Sequence, residues 1–467
     1  MKDKYKIIWA GPWNVESAIA GFGLQIVEEL KAMGHEVIIF RTETGKAKKI
    51  KPVEDKKSEV YFWNIERILK TEYDVIINNF GNHYPFHGAV LDDLSAFNRL
   101  NAVGILHDFF YCNIIAEWAH KKNEKEGTSV EDFLRNIIYN TYGDEIGFDF
   151  PFWRDLKIMA EKYPLVEFLS RNLAGAVCHS DHYIERVRSS CPGPVEKIPL
   201  CMKFEKLDGI SGAGCLGSGL NLGSDSAGSV LSGADCGRAL TLTVGVIGHG
   251  NPNKRLEQIL SAIGGDEFLK NRYRFKLVGH IDDSYRSRLK NIAEKLSLIE
   301  TEFTGWVSDE DLIAGLKDLD VLCCLREPIL EGGSASLIFA MQSGRPTLVS
   351  DHGPYAELPD DCVFKCDIET EIEDIRKYLR WIYENYENAL AYGIKARDFS
   401  LRRNSTEFYA KALISLVEET LYSIPVINAA KRIGDTLSGF GVKPDDDAAA
   451  ERIGGIMDGL FGAGFSN

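Results

Sequence analysis

Short apolar strands alternate with amphipathic helices along most of this chain, and this alternation limits the fold more than any other feature of the sequence. An apolar run at 5–10 is followed by a stretch with helical spacing at 19–33, which ends at Gly34, and by a second apolar run at 36–40. A strand, a helix and a strand in this order form a parallel pair joined by a right-handed crossover. We therefore predict an α/β fold built on parallel sheets.

The alternation occurs in two parts of the chain with an interruption between them. Further strands are predicted at 73–78, 102–106, 175–179 and 195–199 in the first part, and at 242–247, 275–278, 299–303, 321–325, 346–350 and 363–366 in the second. Between the parts, residues 208–238 are mostly Gly, Ser and other small residues, a composition that predicts a linker or a surface loop. Helical periodicity returns at 369–386 and 404–421.

These changes of character divide the chain into five segments. We predict an N-terminal Rossmann-like domain at 1–205, a Gly/Ser-rich linker or loop at 206–240 and a second Rossmann-like domain at 241–400. A C-terminal helix at 401–424 is expected to pack back on the N-terminal domain, and 425–467 forms a Gly-rich tail.

Composition excludes several classes of partner. The chain has 54 Lys and Arg against 69 Asp and Glu, a formal charge of −15, so the basic surface that nucleic acid requires is not expected. Its ten cysteines are scattered, without a CxxC pair or zinc-type spacing, which predicts reduced thiols and no metal site. With no signal-like or membrane-spanning apolar run, we expect a cytoplasmic protein that could also contact the inner face of the membrane peripherally.

The stretch from 326 to 346 carries the most informative pattern. Glu331 follows a predicted buried strand, and Gly332, Gly333 and Ser334 lead into a predicted helix. Ligands of parallel sheets bind beyond the carboxyl ends of strands, and the amides that open a helix can bind phosphate. On spacing alone, an ordinary tight turn with a solvated Glu explains these residues equally well.

This stretch resembles the acidic signature of glycosyltransferase family 4, also called group 1. Glu331, Ala340, Met341, Gly344 and Pro346 stand in register with that signature, and the flanking segments are similar to members from bacterial polysaccharide clusters. The resemblance implies the GT-B fold, which has two Rossmann-like domains with a cleft between them. It also implies a retaining enzyme whose donor, a nucleotide diphosphate sugar, binds mainly to the second domain (241–400) and whose acceptor binds to the first (1–205).

The sequence departs from the family pattern at two positions. Phe339 stands where the family has a second Glu that commonly holds ribose hydroxyls, and His249 stands where many members carry Arg. These departures keep open a catalytically inactive glycosyltransferase-like scaffold that binds a partner. A nucleotide-dependent oxidoreductase is a further alternative, although the loop after the first strand lacks the GxGxxG spacing.

The resemblance also implies which residues hold the donor. Lys254 matches the Lys that binds the diphosphate, where a cation offsets charge that grows as the glycosidic bond breaks. Glu331 would hydrogen-bond the donor sugar, and Trp306 with Val307 would border the nucleotide base. The full set of implied donor contacts beyond Lys254 and Glu331 is Gly248, His249, Arg255, Trp306, Val307, Arg326, Gly332, Gly333 and Ser334.

In the first domain, His107 follows a predicted strand, and the resemblance implies that it lines the transferred sugar. A neutral imidazole can hydrogen-bond a sugar hydroxyl. The acceptor or sugar side would also include Ser17, His83, His87 and Asp108. For His83 and His87, a loop-capping or core role is an equally weighted interpretation.

Together these features predict a retaining glycosyltransferase of the hexosyltransferase type, with His107, Lys254 and Glu331 as catalytic residues. Its partners would be a nucleotide sugar and a saccharide or lipid-linked acceptor, in polysaccharide or glycoconjugate synthesis. The resemblance implies neither a cofactor nor a metal.

Overall fold

Two compact units make up the fold. The computed structural model describes residues 2–13, 15–49, 59–97, 100–127, 129–144, 155–204, 207, 241–298, 300–441 and 452–455. The first unit comprises Met1–Ile198 and Tyr409–Asn467, and the second comprises Pro199–Phe408.

The first unit is built on a parallel sheet. Its strands are β1 (Lys6–Gly11), β2 (Glu36–Arg41), β3 (Glu59–Phe62), β4 (Val75–Phe80), β5 (Ala102–Leu106), β6 (Gly175–Cys178) and β7 (Val195–Lys197), in the order β3-β2-β1-β4-β5-β6-β7. Its helices are α1 (Ala18–Ala32), α2 (Ile65–Ile68), α3 (Tyr84–His87), α4 (Leu94–Phe97), α5 (Cys112–Glu126), α6 (Val130–Tyr142), α7 (Leu156–Lys162), α8 (Val166–Ser170) and α9 (Asp181–Arg188). Every residue of β4, β5 and β6 is buried, as expected for a parallel sheet covered on both faces.

The second unit repeats this architecture with six parallel strands. They are β8 (Leu242–Ile247), β9 (Tyr273–Val278), β10 (Thr301–Phe303), β11 (Val321–Cys324), β12 (Thr347–Ser350) and β13 (Phe364–Cys366), in the order β10-β9-β8-β11-β12-β13. The helices are α10 (Leu256–Gly264), α11 (Asp283–Lys295), α12 (Asp309–Gly315), α13 (Ala335–Gln342), α14 (Glu371–Glu384) and α15 (Tyr386–Arg403). Apolar side chains from the strands and these helices form its core.

The predicted α/β architecture is confirmed, and each predicted strand lies within two residues of an observed one at either end. Strand β3 and helices α11 and α15 are among the elements that the sequence pattern did not predict. Strand β3 is a short edge strand, and α15 contains Gly393, a residue that weakens a helical pattern. A Cβ at Gly393 would lie 2.1 Å from the carbonyl oxygen of Gly344, so glycine is required there for close backbone contact.

The boundary between the units falls at Ile198 rather than at residue 205. The carbonyl of Leu200 accepts a hydrogen bond from Asn404 Nδ2 at 2.6 Å, and that of Met202 accepts one from Gln342 Nε2 at 3.1 Å. These bonds fix the segment within the second unit. The predicted linker at 206–240 lies outside the described residues except for Leu207, which is buried in the core of the second unit.

The last helix, α16, spans Thr406–Gly439. The predicted helix at 401–424 was therefore too short at its C-terminal end, and the predicted tail from residue 425 begins as helix. Proline lacks the backbone N–H that a helix interior uses, which made Pro425 a natural stop in the sequence. The helix nevertheless continues, because Ile427 is buried and anchors the following turn near Gly193. Residues 442–451 and 456–467 of the predicted tail lie outside the described part of the chain.

Within the described residues, none of the helices has the length and apolar content needed to span a membrane. The eight described cysteines are buried and form no disulfides.

Candidate active site

Polar and charged side chains gather at the carboxyl edge of the second unit's sheet. The loop after β8 carries Lys254, the loop after β11 carries Arg326 and Glu331, and the turn after β12 carries Tyr355. Because β8, β11 and β12 are consecutive neighbours in the sheet, their following loops meet at one edge. This is where open parallel sheets bind their ligands.

Glu331 is held by two hydrogen bonds to the same carboxylate oxygen. Its Oε1 accepts from Arg326 Nε at 2.7 Å and from the Tyr355 hydroxyl at 2.8 Å. Burial alone would raise the pKa of Glu331, but the Arg326 charge and these hydrogen bonds hold that pKa below its ordinary value. Glu331 is therefore an ionised and oriented carboxylate at neutral pH.

Arg326 also connects this carboxylate to the start of α13. Its Nη1 donates to the Leu325 carbonyl at 2.8 Å, and its Nη2 donates to Ser336 Oγ at 3.3 Å. Ser334 Oγ lies 3.2 Å from Ser336 Oγ and accepts from Leu337 N–H, which caps the helix. The predicted residues Gly332 and Gly333 form the turn between Glu331 and this cap, so the acidic loop is fixed at both ends.

Lys254 ends a short 3-10 turn and is 7% exposed. Its Nζ donates to the Ile247 carbonyl at 2.6 Å and passes close to Gly248, where an added Cβ would lie 2.9 Å away. Gly248 has a φ of +89°, which glycine adopts without strain. Burial and then the positive charge of Arg326 lower the pKa of Lys254 to about 7. A bound anion would stabilise its protonated form.

This lowered pKa predicts how Lys254 affects stability. Between the folded-state pKa near 7 and the ordinary value near 10.5, the unfolded chain binds a proton that the folded chain has lost, so folding becomes more favourable as the pH rises. We expect the unfolding free energy of the wild type, relative to Lys254→Met, to rise by roughly 1–2 kcal/mol from pH 7 to pH 9 in urea titrations. Parallel pH profiles for the two proteins would contradict this.

Other residues that the sequence comparison with the family singled out have different surroundings. Arg255 binds Glu371 of α14, with Nε and Nη2 at 2.8 and 2.7 Å from the same carboxylate oxygen. Trp306 is 66% exposed, and Val307 packs partly buried against the core. Phe339 is buried against Phe204 with an edge-to-face ring distance of 5.0 Å, so its side chain contributes packing to the core.

In the first unit, His107 is buried at the end of β5 and both of its ring nitrogens face a partner. Nε2 lies 2.6 Å from Asn79 Oδ1, and Nδ1 lies 3.1 Å from His179 Nε2. Burial, together with His179 and His87, holds the pKa of His107 well below its ordinary value. His107 is thus a neutral imidazole fixed by its neighbours.

The remaining predicted residues of the first unit have varied surroundings. Burial, then His83, lowers the pKa of His87 to about 3, and desolvation by neighbouring atoms lowers the pKa of His83. Asp108 Oδ2 accepts the Asn82 N–H at 2.8 Å, and Ser17 precedes α1 without a side-chain cap bond. Their role on the acceptor or sugar side stays a prediction.

Sequence reasoning did not identify Tyr355, Glu371 or the hydroxyl of Ser336 as site groups in the second unit, nor Asn79 and His179 in the first. His179 directly follows β6, so the rule that pointed to His107 at the end of β5 would also have found it. Tyr355 and Glu371 are far from their partners in sequence, and no local pattern indicates such pairs.

Comparison with solved structures defines the class of fold. Sucrose-phosphate synthase from Thermosynechococcus elongatus has a TM-score of 0.59 at 15% identity, covering 90% of this chain and 100% of that one. HepE from Anabaena, in complex with UDP and glucose, has a TM-score of 0.57 at 14% identity over 89% and 99%. WaaG, a glycosyltransferase involved in lipopolysaccharide biosynthesis, has 0.54 at 12% over 88% and 99%. The chain has the GT-B fold, as predicted.

A family model matches part of the second unit. Residues 241–399 match the family model described as glycosyl transferases group 1, so the chain contains a glycosyltransferase group 1 domain. The match includes Lys254, Arg326, Glu331 and Tyr355. The sequence matches no curated protein.

Proposed function

We propose that this protein is a retaining glycosyltransferase that moves a sugar from a nucleotide diphosphate donor to a saccharide or lipid-linked acceptor in polysaccharide or glycoconjugate synthesis. One observation carries the proposal. Within the group 1 domain, the buried cations Lys254 and Arg326 lie at the same sheet edge as the oriented carboxylate of Glu331. Cations suit a diphosphate, and a carboxylate suits a sugar hydroxyl.

The chemistry assigned to these residues follows from their surroundings. As the bond between sugar and diphosphate breaks, negative charge grows on the leaving oxygen, and protonated Lys254 stabilises it. Ionised Glu331 accepts a hydrogen bond from a donor-sugar hydroxyl and thereby orients the sugar. Ser334 and the turn of Gly332 and Gly333 place backbone amides at the start of α13, where an anion is stabilised by the helix dipole.

We also propose that the reaction needs no metal ion, because the site supplies its own cations. The expected cytoplasmic location and peripheral membrane contact belong to the same proposal, since a lipid-linked acceptor would present its sugar at a membrane surface. Transfer that persists undiminished in excess EDTA would support the metal-free assignment, and loss of transfer that Mg²⁺ or Mn²⁺ restores would overturn it.

A nucleotide-sugar screen tests the proposed function directly. The full-length protein would be melted with UDP-, GDP-, ADP- and dTDP-sugars, because a ligand that binds the folded state raises its melting temperature. We expect one base to raise the Tm by several degrees at about 100 times its Kd, which corresponds to roughly 2.7 kcal/mol. A panel without any shift would contradict donor binding.

Activity separates the proposed enzyme from an inactive scaffold. With the donor found in the screen, we expect slow donor hydrolysis without acceptor, and NMR of the released sugar would initially show the donor's anomeric configuration. Binding without hydrolysis or transfer to any saccharide would favour the scaffold, and an inverted anomer would overturn retention.

A further inference from the structure

Two histidines follow adjacent strands of the second unit and stack on one another. His249 follows β8 and His280 follows β9, and their ring centroids are 5.2 Å apart with an interplanar angle of 27°. Sequence analysis singled out His249 but gave no role to His280. Both histidines are exposed at the ligand-binding edge of the sheet, so packing in the core does not account for the stack.

Backbone contacts hold the two turns that carry His249 and His280 against one another. Gly248 N–H donates to the Val278 carbonyl at 2.9 Å, and Gly250 N–H donates to the His280 carbonyl at 2.7 Å. A Cβ at Gly279 would lie only 2.3 Å from the Gly248 oxygen, so the two turns meet backbone to backbone. The backbone of the sheet edge thus places the two histidines side by side, with their exposed rings in contact.

The charged groups that face the pair are Lys254 and Asp282. The Lys254 ammonium lies against Gly248, the residue before His249, and Asp282 Oδ1 is 3.8 Å from His280 Nε2. Burial, then His280 and Lys254, lowers the pKa of His249, and Asp282 opposes this shift. Without a ligand, the surroundings therefore favour a neutral His249.

We propose that His249 and His280 form one anion-binding cluster with Lys254, and that the histidine pair takes up a proton from solvent when a diphosphate group binds. The inference rests on the proposed function, which supplies the diphosphate. A diphosphate brings more than one negative charge to a place where a second cation is otherwise disfavoured. The negative charge of the diphosphate makes protonation of a histidine favourable. The protonated imidazole then donates a hydrogen bond to a phosphate oxygen.

Linkage gives the expected pH dependence. If binding raises the proton affinity of the pair, the affinity for the diphosphate increases as the pH falls, by up to about tenfold per pH unit for one linked proton. Lys254 also gains a proton when the diphosphate binds. Variants are therefore needed to separate the proton taken up by the histidine pair from the one taken up by Lys254.

Histidine-selective NMR measures the protonation of the pair. The full-length protein would be labelled with ¹³C-histidine, and the His249 signal would be assigned by its loss in His249→Gln. It would then be titrated with pH in the absence and presence of the nucleoside diphosphate that stabilises the protein most. We expect the His249 midpoint to rise by about one pH unit or more with the nucleotide. An unchanged midpoint would overturn the proposal.

Calorimetry in two buffers of different ionisation enthalpy counts the protons taken up with the same nucleotide. We expect His249→Gln/His280→Gln to take up fewer protons than the wild type, with the remainder due to Lys254. His120→Gln, an exposed position on α5, is the matched control and should equal the wild type. If the double variant also equals the wild type, the pair has no part in proton uptake.

The outcomes separate this inference from the proposed function. If no nucleoside diphosphate binds at any pH between 6 and 9, both are wrong. If one binds while the His249 midpoint and the proton count stay unchanged, the donor site stands and only the role of the histidine pair is wrong.

Discussion

Lys254→Ala is expected to lower kcat/KM for the nucleotide-sugar donor by roughly 10²–10³-fold, the loss typical when a group that stabilises a developing negative charge is removed. The Lys254 ammonium is buried and held by the Ile247 carbonyl, so its charge is fixed at the sheet edge where the diphosphate is proposed to bind. Initial rates of donor hydrolysis and of transfer would measure the effect.

Two further variants make this result specific. Lys290→Ala removes an exposed lysine of α11 and should leave the rate unchanged. Lys254→Met keeps much of the side-chain volume without the charge, and we expect it to be as inactive as Lys254→Ala while remaining folded. Full activity in Lys254→Met would show that the charge is not used.

Glu331→Gln is expected to reduce both stability and activity. The change removes the charge that pairs with Arg326, whose side chain is 6% exposed, and leaves a buried guanidinium without its ionic partner. Breaking such a pair costs about 3 kcal/mol or more, which urea denaturation would measure. We also expect donor turnover to fall by more than tenfold, since the ionised carboxylate no longer orients the sugar hydroxyl.

A double variant separates these two effects. In Arg326→Met/Glu331→Gln neither charge remains, so much of the lost stability should return, because an uncharged replacement of a buried pair is often tolerated. Activity should not return, because this variant lacks both the carboxylate assigned to the donor sugar and the Arg326 cation assigned to the diphosphate. If activity recovers together with stability, Glu331 has only a structural role.

The fold could be predicted from the sequence because strands and helices leave local patterns of apolar residues along the chain. Runs such as Ala102–Leu106 and Leu242–Ile247 are apolar throughout, as strands buried on both faces must be, and each was predicted with its observed bounds. The acidic loop was equally readable, since Glu331 and the turn after it are consecutive in the chain.

The partners of these residues could not be predicted, because they depend on tertiary contacts. Tyr355 meets Glu331 only because β11 and β12 are neighbours, and Glu371 meets Arg255 across 116 positions of sequence. Helix α16 beyond Pro425 was missed for a similar reason. The burial of Ile427 outweighs a local signal to stop, and no pattern along the chain reveals that burial.

The tight contact between Gly393 and Gly344 has a consequence for the distant end of α13. That helix is a short rod of about 12 Å, with one end resting directly on the backbone of α15 and the other carrying the serine cap beside Arg326. A methyl group at position 393 would have to push the rod along or tilt it. A substitution at Gly393, which is remote from the acidic loop, would thereby change the geometry of the loop that carries Glu331.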